Sequence, residues 1–191
     1  VLFPWSNASV RLVRRAAGGD ARAFRALYRE LHPVVHGFVA RRIADGADAE
    51  DLVAKVFHRV LEHLDRFDPA KASVRGWVIG IARNAVIDHL RMRRDLVALD
   101  DAAELLAVVD PTPVGLDRRT EVVLAAVREL PAATREMLAL HFGDGLRYRE
   151  IAELTGGTEA AVKQRMARAL RELRARVAEP VRSKGAAVHA V

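Results

Sequence analysis

Cysteine is absent from the 191 residues. That excludes a disulfide framework, thiolate-ligated zinc and thiol catalysis. Aromatic residues make up only 5% of the chain, so its cores must be built from Leu, Val, Ile and Ala. No apolar run reaches the roughly 20 residues needed to span a bilayer. The opening segment Val1–Trp5 is too short for the apolar stretch of a signal peptide. A cytoplasmic location without membrane insertion is therefore the expectation. There is no phosphate-cradling P-loop and no H-E-x-x-H pair. Sustained period-two alternation is missing as well, which leaves strands unsupported.

What the chain does have is charge and helical periodicity. Lys plus Arg number 31 and Asp plus Glu 25, a net charge of +6. The distribution is uneven: +6 over residues 1–95, −3 over 96–120 and +3 over 121–191. Two basic blocks around an acidic one point to a polyanionic partner. The acidic block holds Asp100, Asp101, Glu104, Asp110 and Asp117 with Pro111 and Pro113. Proline stops helices and extends its neighbour, so this block reads as a linker.

Apolar residues elsewhere recur at steps of three and four. Phe24, Leu27, Tyr28, Leu31, Val35 and Phe38 form one helical face, with Asp20 as its cap and Pro33 as a possible kink. Leu52, Val53, Val56, Phe57, Val60, Leu61 and Leu64 form a second, capped near Asp48. Val74, Trp77, Val78, Ile81, Ala82, Ala85 and Leu90 form a third, capped near Ser73. Beyond the linker, helices are expected before Pro131, before Gly143, over Tyr148–Leu154, and from Thr158 to about Val177. The expected fold class is all-α, two small helical domains. Their limits are 8–95 and 120–178, with a linker over 96–119 and a disordered tail over 179–191.

Tyr148–Leu154, the turn Thr155-Gly156-Gly157 and a helix capped by Thr158 read as a helix-turn-helix. In the last helix Val162, Met166, Leu170, Leu173 and Val177 make an apolar stripe. The opposite face carries Ala160, Gln164, Ala167, Arg168 and Arg171, flanked by Lys163, Arg165 and Arg174. Small residues admit such a helix to a major groove, where Gln pairs with adenine and Arg with guanine. Flanking cations neutralise phosphates. Arg147, Arg149 and Glu159 complete the candidate duplex-facing set. The plainer reading of the same residues is a solvated basic amphipathic helix.

Residues 130–174, LPAATREMLALHFGDGLRYREIAELTGGTEAAVKQRMARALRELR, resemble region four of bacterial sigma factors. Taken alone they also resemble the DNA-binding domain of LuxR-type regulators. The first half separates the two. GDARAFRALYRELHPVV, DAEDLVAKVFHRVLEHLDRFDP and RGWVIGIARNAVIDHLRMRR, within residues 20–94, resemble region two of the extracytoplasmic-function sigma factors. The resemblance implies a transcription initiation factor, not an enzyme, that needs no cofactor. It implies binding to core RNA polymerase through the β′ clamp helices and the β flap, and to promoter DNA. It also implies an anti-sigma protein as a possible partner. The free chain is expected to be a monomer.

The resemblance also assigns sites. Region four would read the minus-thirty-five duplex. The third helix and the loop Asp68–Ser73 would take the minus-ten element, through Arg75, Trp77, Arg83, Asn84, Asp88, Arg91, Arg93 and Arg94. Trp77 lies on the apolar face and reads first as core. Asp88 reads equally as a partner for a nearby Arg. Asp48, Glu50, Asp51 and Leu52 fit the polymerase-docking pattern. The next two positions depart from it: Ala54-Lys55 stands where the family commonly has Gln-Glu, which removes an amide and reverses a charge. Three rivals stay open: a stand-alone helix-turn-helix regulator, a relative that has lost polymerase binding, and a metal enzyme built on His32 and His36. For the last no completing ligand is visible, and no metal site is assigned.

Overall fold

The computed structural model describes residues 7–93 and 117–185, with only the backbone given for Asn7, Arg93, Arg119 and 178–185. Arg94 and most of the linker lie outside the described residues. Eight α-helices and no strand occur among the described residues: α1 (Asn7–Ala17), α2 (Ala21–Ala40), α3 (Gly46–Glu62), α4 (Val74–Arg93), α5 (Arg118–Arg128), α6 (Ala132–Leu138), α7 (Tyr148–Thr155) and α8 (Glu159–Gly185). A 3₁₀ turn spans Leu64–Arg66 and a wide π turn Ala139–Gly143.

The first domain is a bundle of α1 to α4. Helix α1 was not among the helices expected from the sequence, but it packs along α2 and on the 3₁₀ turn. Asp20 starts α2, its carboxylate accepting from the backbone N–H groups of Arg22 (2.9 Å) and Ala23 (3.0 Å). These are two of the donors a helix start otherwise leaves unpaired. Pro33 sits inside the continuous α2 on its exposed side. The cap of α3 is Asp45, three residues earlier than the spacing suggested, and its side chain accepts from Asp48 N–H at 3.0 Å. Ser73 caps α4 as expected, its hydroxyl accepting from Gly76 N–H at 3.0 Å.

Asp117 belongs to the second domain rather than to the linker, because it caps α5 through Thr120 N–H at 2.7 Å. The πturn and Gly145 (φ +68°) reverse the chain between α6 and α7. Gly156 (φ +74°) ends α7, and Thr158 opens α8 by accepting from Ala161 N–H at 3.2 Å. Leu130, Leu140, Leu146, Ile151 and Met166 are almost fully enclosed, each contributing about 1.5–3 kcal/mol of apolar burial. Helix α8 covers α5, α6 and α7 with the predicted stripe. It continues through Pro180 to Gly185, past the expected end near Val177. Proline removes only one backbone donor, and the preceding Ala-, Arg- and Glu-rich sequence favours helix. The two apolar interiors are contiguous across the domain boundary.

Candidate nucleic-acid interface

Three surfaces and one seam hold the candidate site residues and their charged neighbours. The first surface is the outer face of α8. Ala160, Gln164, Arg165, Ala167, Arg168 and Arg171 are all exposed, as are Thr158 and Glu159 at its start. Lys163 is held by Glu159 one turn back, at 2.6 Å. The basic face arises because the stripe Val162, Met166, Ala169, Leu173 turns inward and leaves the opposite side to polar residues.

The second surface belongs to α4 and the loop before it, and here the expected set divides. Asn84 and Arg91 are exposed. Asp88 is exposed and 3.4 Å from Arg59 of α3, the partner role considered for it. Trp77 is partly buried with its ring 5.3 Å from Phe67, which favours the core reading. Arg75 and Arg83 point at the second domain. Of Arg93 only the backbone is described.

The third surface is a groove of about 640 Å³ between α3 and α4, lined by Asp48, Leu52, Lys55, Arg59, Asp88, His89 and Met92, among others. Met92 is 84% exposed on its rim. Ala54 and Lys55 are exposed, as are Glu50, which pairs with His36 at 3.2 Å, and Asp51. Leu52 is a core residue with only 3% of its surface accessible. His32 and His36 stack at 5.9 Å. No group of three potential metal ligands occurs among the described residues.

The seam between the domains was not foreseen. Asp144, on the turn after α6, is fully buried and faces Arg41 and Arg42 at the end of α2. Arg42 is itself 1% exposed, its guanidinium 3.7 Å from the Phe38 ring and hydrogen-bonded to Phe38 O at 2.9 Å. Arg75 donates to the carbonyl of Asp144. Arg83 binds Glu136 at 2.8 Å, both largely buried. Glu150 accepts from Ser73 N–H (3.3 Å) and from its hydroxyl. Arg149 donates to Ala70 O at 2.9 Å. Burial pushes the Asp144 carboxyl up, more than Arg42 and Arg41 pull it down. It pushes Arg42 and Arg75 down despite Asp144. Desolvation thus offsets much of the attraction, as expected for buried ion pairs.

Sequence reasoning assigned Arg75, Arg83 and Arg149 to nucleic acid and missed their carboxylate and carbonyl partners. The one available signal was Gly76 and Gly80, four apart on α4. A Cβ on Gly76 would lie 2.7 Å from Glu150 Oε1, and one on Gly80 3.1 Å from Leu154 Cδ2.

A two-domain helical protein with a basic helix-turn-helix is thereby defined, and comparison with known proteins specifies its family. The model of sigma-70 region 2 matches residues 27–95, and that of sigma-70 region 4 matches residues 120–173. The ECF RNA polymerase sigma factor BldN of Streptomyces coelicolor is 33% identical over 168 residues, covering 86% of this chain and 64% of that protein. The ECF RNA polymerase sigma factor SigK of Mycolicibacterium vanbaalenii is 27% identical over 168 residues, covering 85% and 86%. CnrH, solved in complex with the cytosolic domain of CnrY, aligns with TM-score 0.59 at 23% identity, covering 88% and 96%. The sigma factor RpoE of Bartonella quintana, solved with the anti-sigma factor NepR, aligns with TM-score 0.57 at 22% identity, covering 82% and 98%. At these identities the two structures show a shared fold. The chain belongs to the extracytoplasmic-function group of the sigma-70 family.

Proposed function

We propose that this chain recruits core RNA polymerase to promoters. The observation that carries this reading is the coexistence of both sigma regions with an open basic face on α8. In this reading Gln164 and Arg168 meet base edges of the minus-thirty-five duplex, and Arg165, Arg171 and Lys163 meet phosphates. Lys163 exchanges Glu159 for a phosphate as it does so. The α3–α4 groove receives the β′ clamp helices, with Asp48, Glu50 and Asp51 beside it. Lys55 stands at its edge where a carboxylate is usual, and this weakens the contact relative to the common family pattern. The loop 68–73, Arg75, Arg83, Asn84 and Arg91 hold the minus-ten strand once it is unpaired. Unpairing and unstacking cost about a few kcal/mol per base. Cationic backbone contacts offset that cost. The second domain also meets the β flap, and an anti-sigma protein, as in the Bartonella quintana relative, is a further partner.

The test is capture of core RNA polymerase by the purified chain, then transcription from a library of genomic promoter fragments. Capture, with start sites sharing two spaced motifs, supports the reading. Tight sequence-specific binding to duplex DNA without capture of polymerase overturns it in favour of a stand-alone regulator.

A further inference from the structure

A strongly basic surface lies outside α4, α8 and the seam. Arg22, Arg25 and Arg29 of α2 are exposed and step by three and four, which sets them in one row on one helix face. With Tyr28 they line a hollow of about 540 Å³. None of the three has an acidic partner among the described residues. The carboxylates of this region are engaged elsewhere. Asp20 pairs with Arg15 at 2.6 Å and accepts from two backbone N–H groups. Glu30 accepts from the Ser9 hydroxyl at 2.6 Å, and Glu50 of α3 pairs with His36. Arg29 donates to the Arg25 carbonyl at 3.4 Å, a contact that leaves its charge unneutralised. Like charges at these spacings repel within a helix. Arg22 and Arg25 also sit near the helix start, where cations are disfavoured. The row therefore works against the stability of α2, and a structural role does not account for it.

We infer that this face of α2 binds the phosphate backbone of duplex DNA without reading its sequence, as a contact separate from those of α8 and α4. The row rises about 10 Å along the helix, close to the axial span of three phosphates on one strand. Each guanidinium can pair with two phosphate oxygens at once. Tyr28 is 39% exposed and its ring is seated 4.4 Å from that of Phe57, so its phenol is a held donor in the same hollow. A single strand would need free rings on which to stack its bases, and Tyr28 already lies against Phe57. A protein partner would need an apolar centre, and the exposed neighbours Ala21 and Pro33 offer little apolar area. The contact does not require polymerase, so it stands apart from the function proposed above.

The test uses the full chain and a mixed-sequence duplex. Arg22→Gln, Arg25→Gln and Arg29→Gln, combined, remove three charges and keep good helix formers. The logarithmic salt slope of binding should flatten by about 2.7, about 0.9 for each phosphate. A fourfold rise in salt then costs the original chain about fortyfold more affinity than the variant. The thermal midpoint should not fall, because the row repels itself. Circular dichroism establishes that the variant is helical. If the combined variant is not, Arg25→Gln alone is read, with a flattening of about 0.9 expected. The second measurement locates the DNA. The chain has no cysteine, so Ala21→Cys beside the row gives a single attachment point for a DNA-cleaving iron chelate. The chelate there should cut the bound duplex, and the cuts should vanish when the three arginines are replaced. An unchanged salt slope, or no cutting from position 21, overturns the inference. Unchanged duplex binding with weaker capture of core RNA polymerase would give the face to a protein partner and overturns it as well.

Discussion

Ser73 and Glu150 join two helix starts from different domains. The Ser73 hydroxyl accepts from Gly76 N–H to cap α4 and donates to Glu150. Glu150 accepts from Arg147 N–H at the start of its own helix, α7. One carboxylate therefore lies at the positive ends of two helix dipoles, where negative charge is favoured. Glu150→Ala removes a cap and an acceptor for Ser73. A loss of about 1–2 kcal/mol is expected, read by urea unfolding. Ser73→Ala should cost a similar amount while sparing α7. A Glu150→Ala chain as stable as the original would show that the bonds Glu150 accepts from Arg147 and Ser73 add nothing to stability.

Asp144 is the counter-charge of a buried guanidinium. Removing it strands Arg42, which is 1% exposed. Asp144→Ala should destabilise by about 3 kcal/mol, the cost of an uncompensated buried charge. Arg42→Met should cost less, since Arg41 still reaches Asp144 and an apolar chain fits among Phe38 and its neighbours. Thermal unfolding of the two variants side by side checks the order, and the reverse order contradicts it.

Asp20 makes a pH prediction. Backbone hydrogen bonds from Ala23 and Arg22 and the neighbouring Arg15 hold its carboxyl below the ordinary 3.8. The folded chain therefore binds this proton less readily than the unfolded one. Its contribution is fully present above the unfolded value and is lost as pH falls through the lowered folded value. Carboxyl-detected NMR titration should place Asp20 below 3.8. Asp20→Asn should show a shallower acid-side decline in stability than the original chain.

Gln164 and Arg171 should separate specificity from affinity. Gln164→Ala should lose about 1–3 kcal/mol of discrimination at one upstream base pair. Arg171→Ala, with no ion partner to lose among the described residues, should weaken all duplexes alike. It should also flatten the logarithmic salt slope by about 0.9. Binding isotherms on cognate and scrambled duplexes at several salt concentrations decide. Identical profiles for the two variants would sink the division of roles.

Lys55 is exposed at the edge of the α3–α4 groove. If the β′ helices dock there, Lys55→Glu restores the usual charge and should tighten polymerase binding severalfold, about 1 kcal/mol for an exposed charge. Competition against labelled original chain measures it. Weaker binding would mean that the chain docks by other residues.

The periodicity of the sequence determined the helices. Leu27, Leu31, Val35 and Phe38 announced the buried face of α2, and Val162, Met166 and Leu173 that of α8, because a helix repeats every 3.6 residues whatever surrounds it. Caps at Asp20, Ser73 and Thr158 were legible for the same local reason, and the basic outer face of α8 followed from its inner one. Helix α1 was harder to read: Val10, Val13 and Ala16 do recur at steps of three and pack on the core, but an 11-residue helix shows only about three turns of the pattern. The partners of Arg75 and Arg83 were beyond reach of any local rule. An arginine on a basic helix looks the same in sequence whether it awaits a phosphate or already holds a carboxylate, and Glu136 lies 53 positions from Arg83. Only the folded chain, by setting Gly76 and Gly80 against α7 and enclosing Asp144 between two domains, decided which cations are free and which are occupied. Burial and pairing depend on what the tertiary structure brings within a few ångströms, and charge spacing along the chain does not encode that.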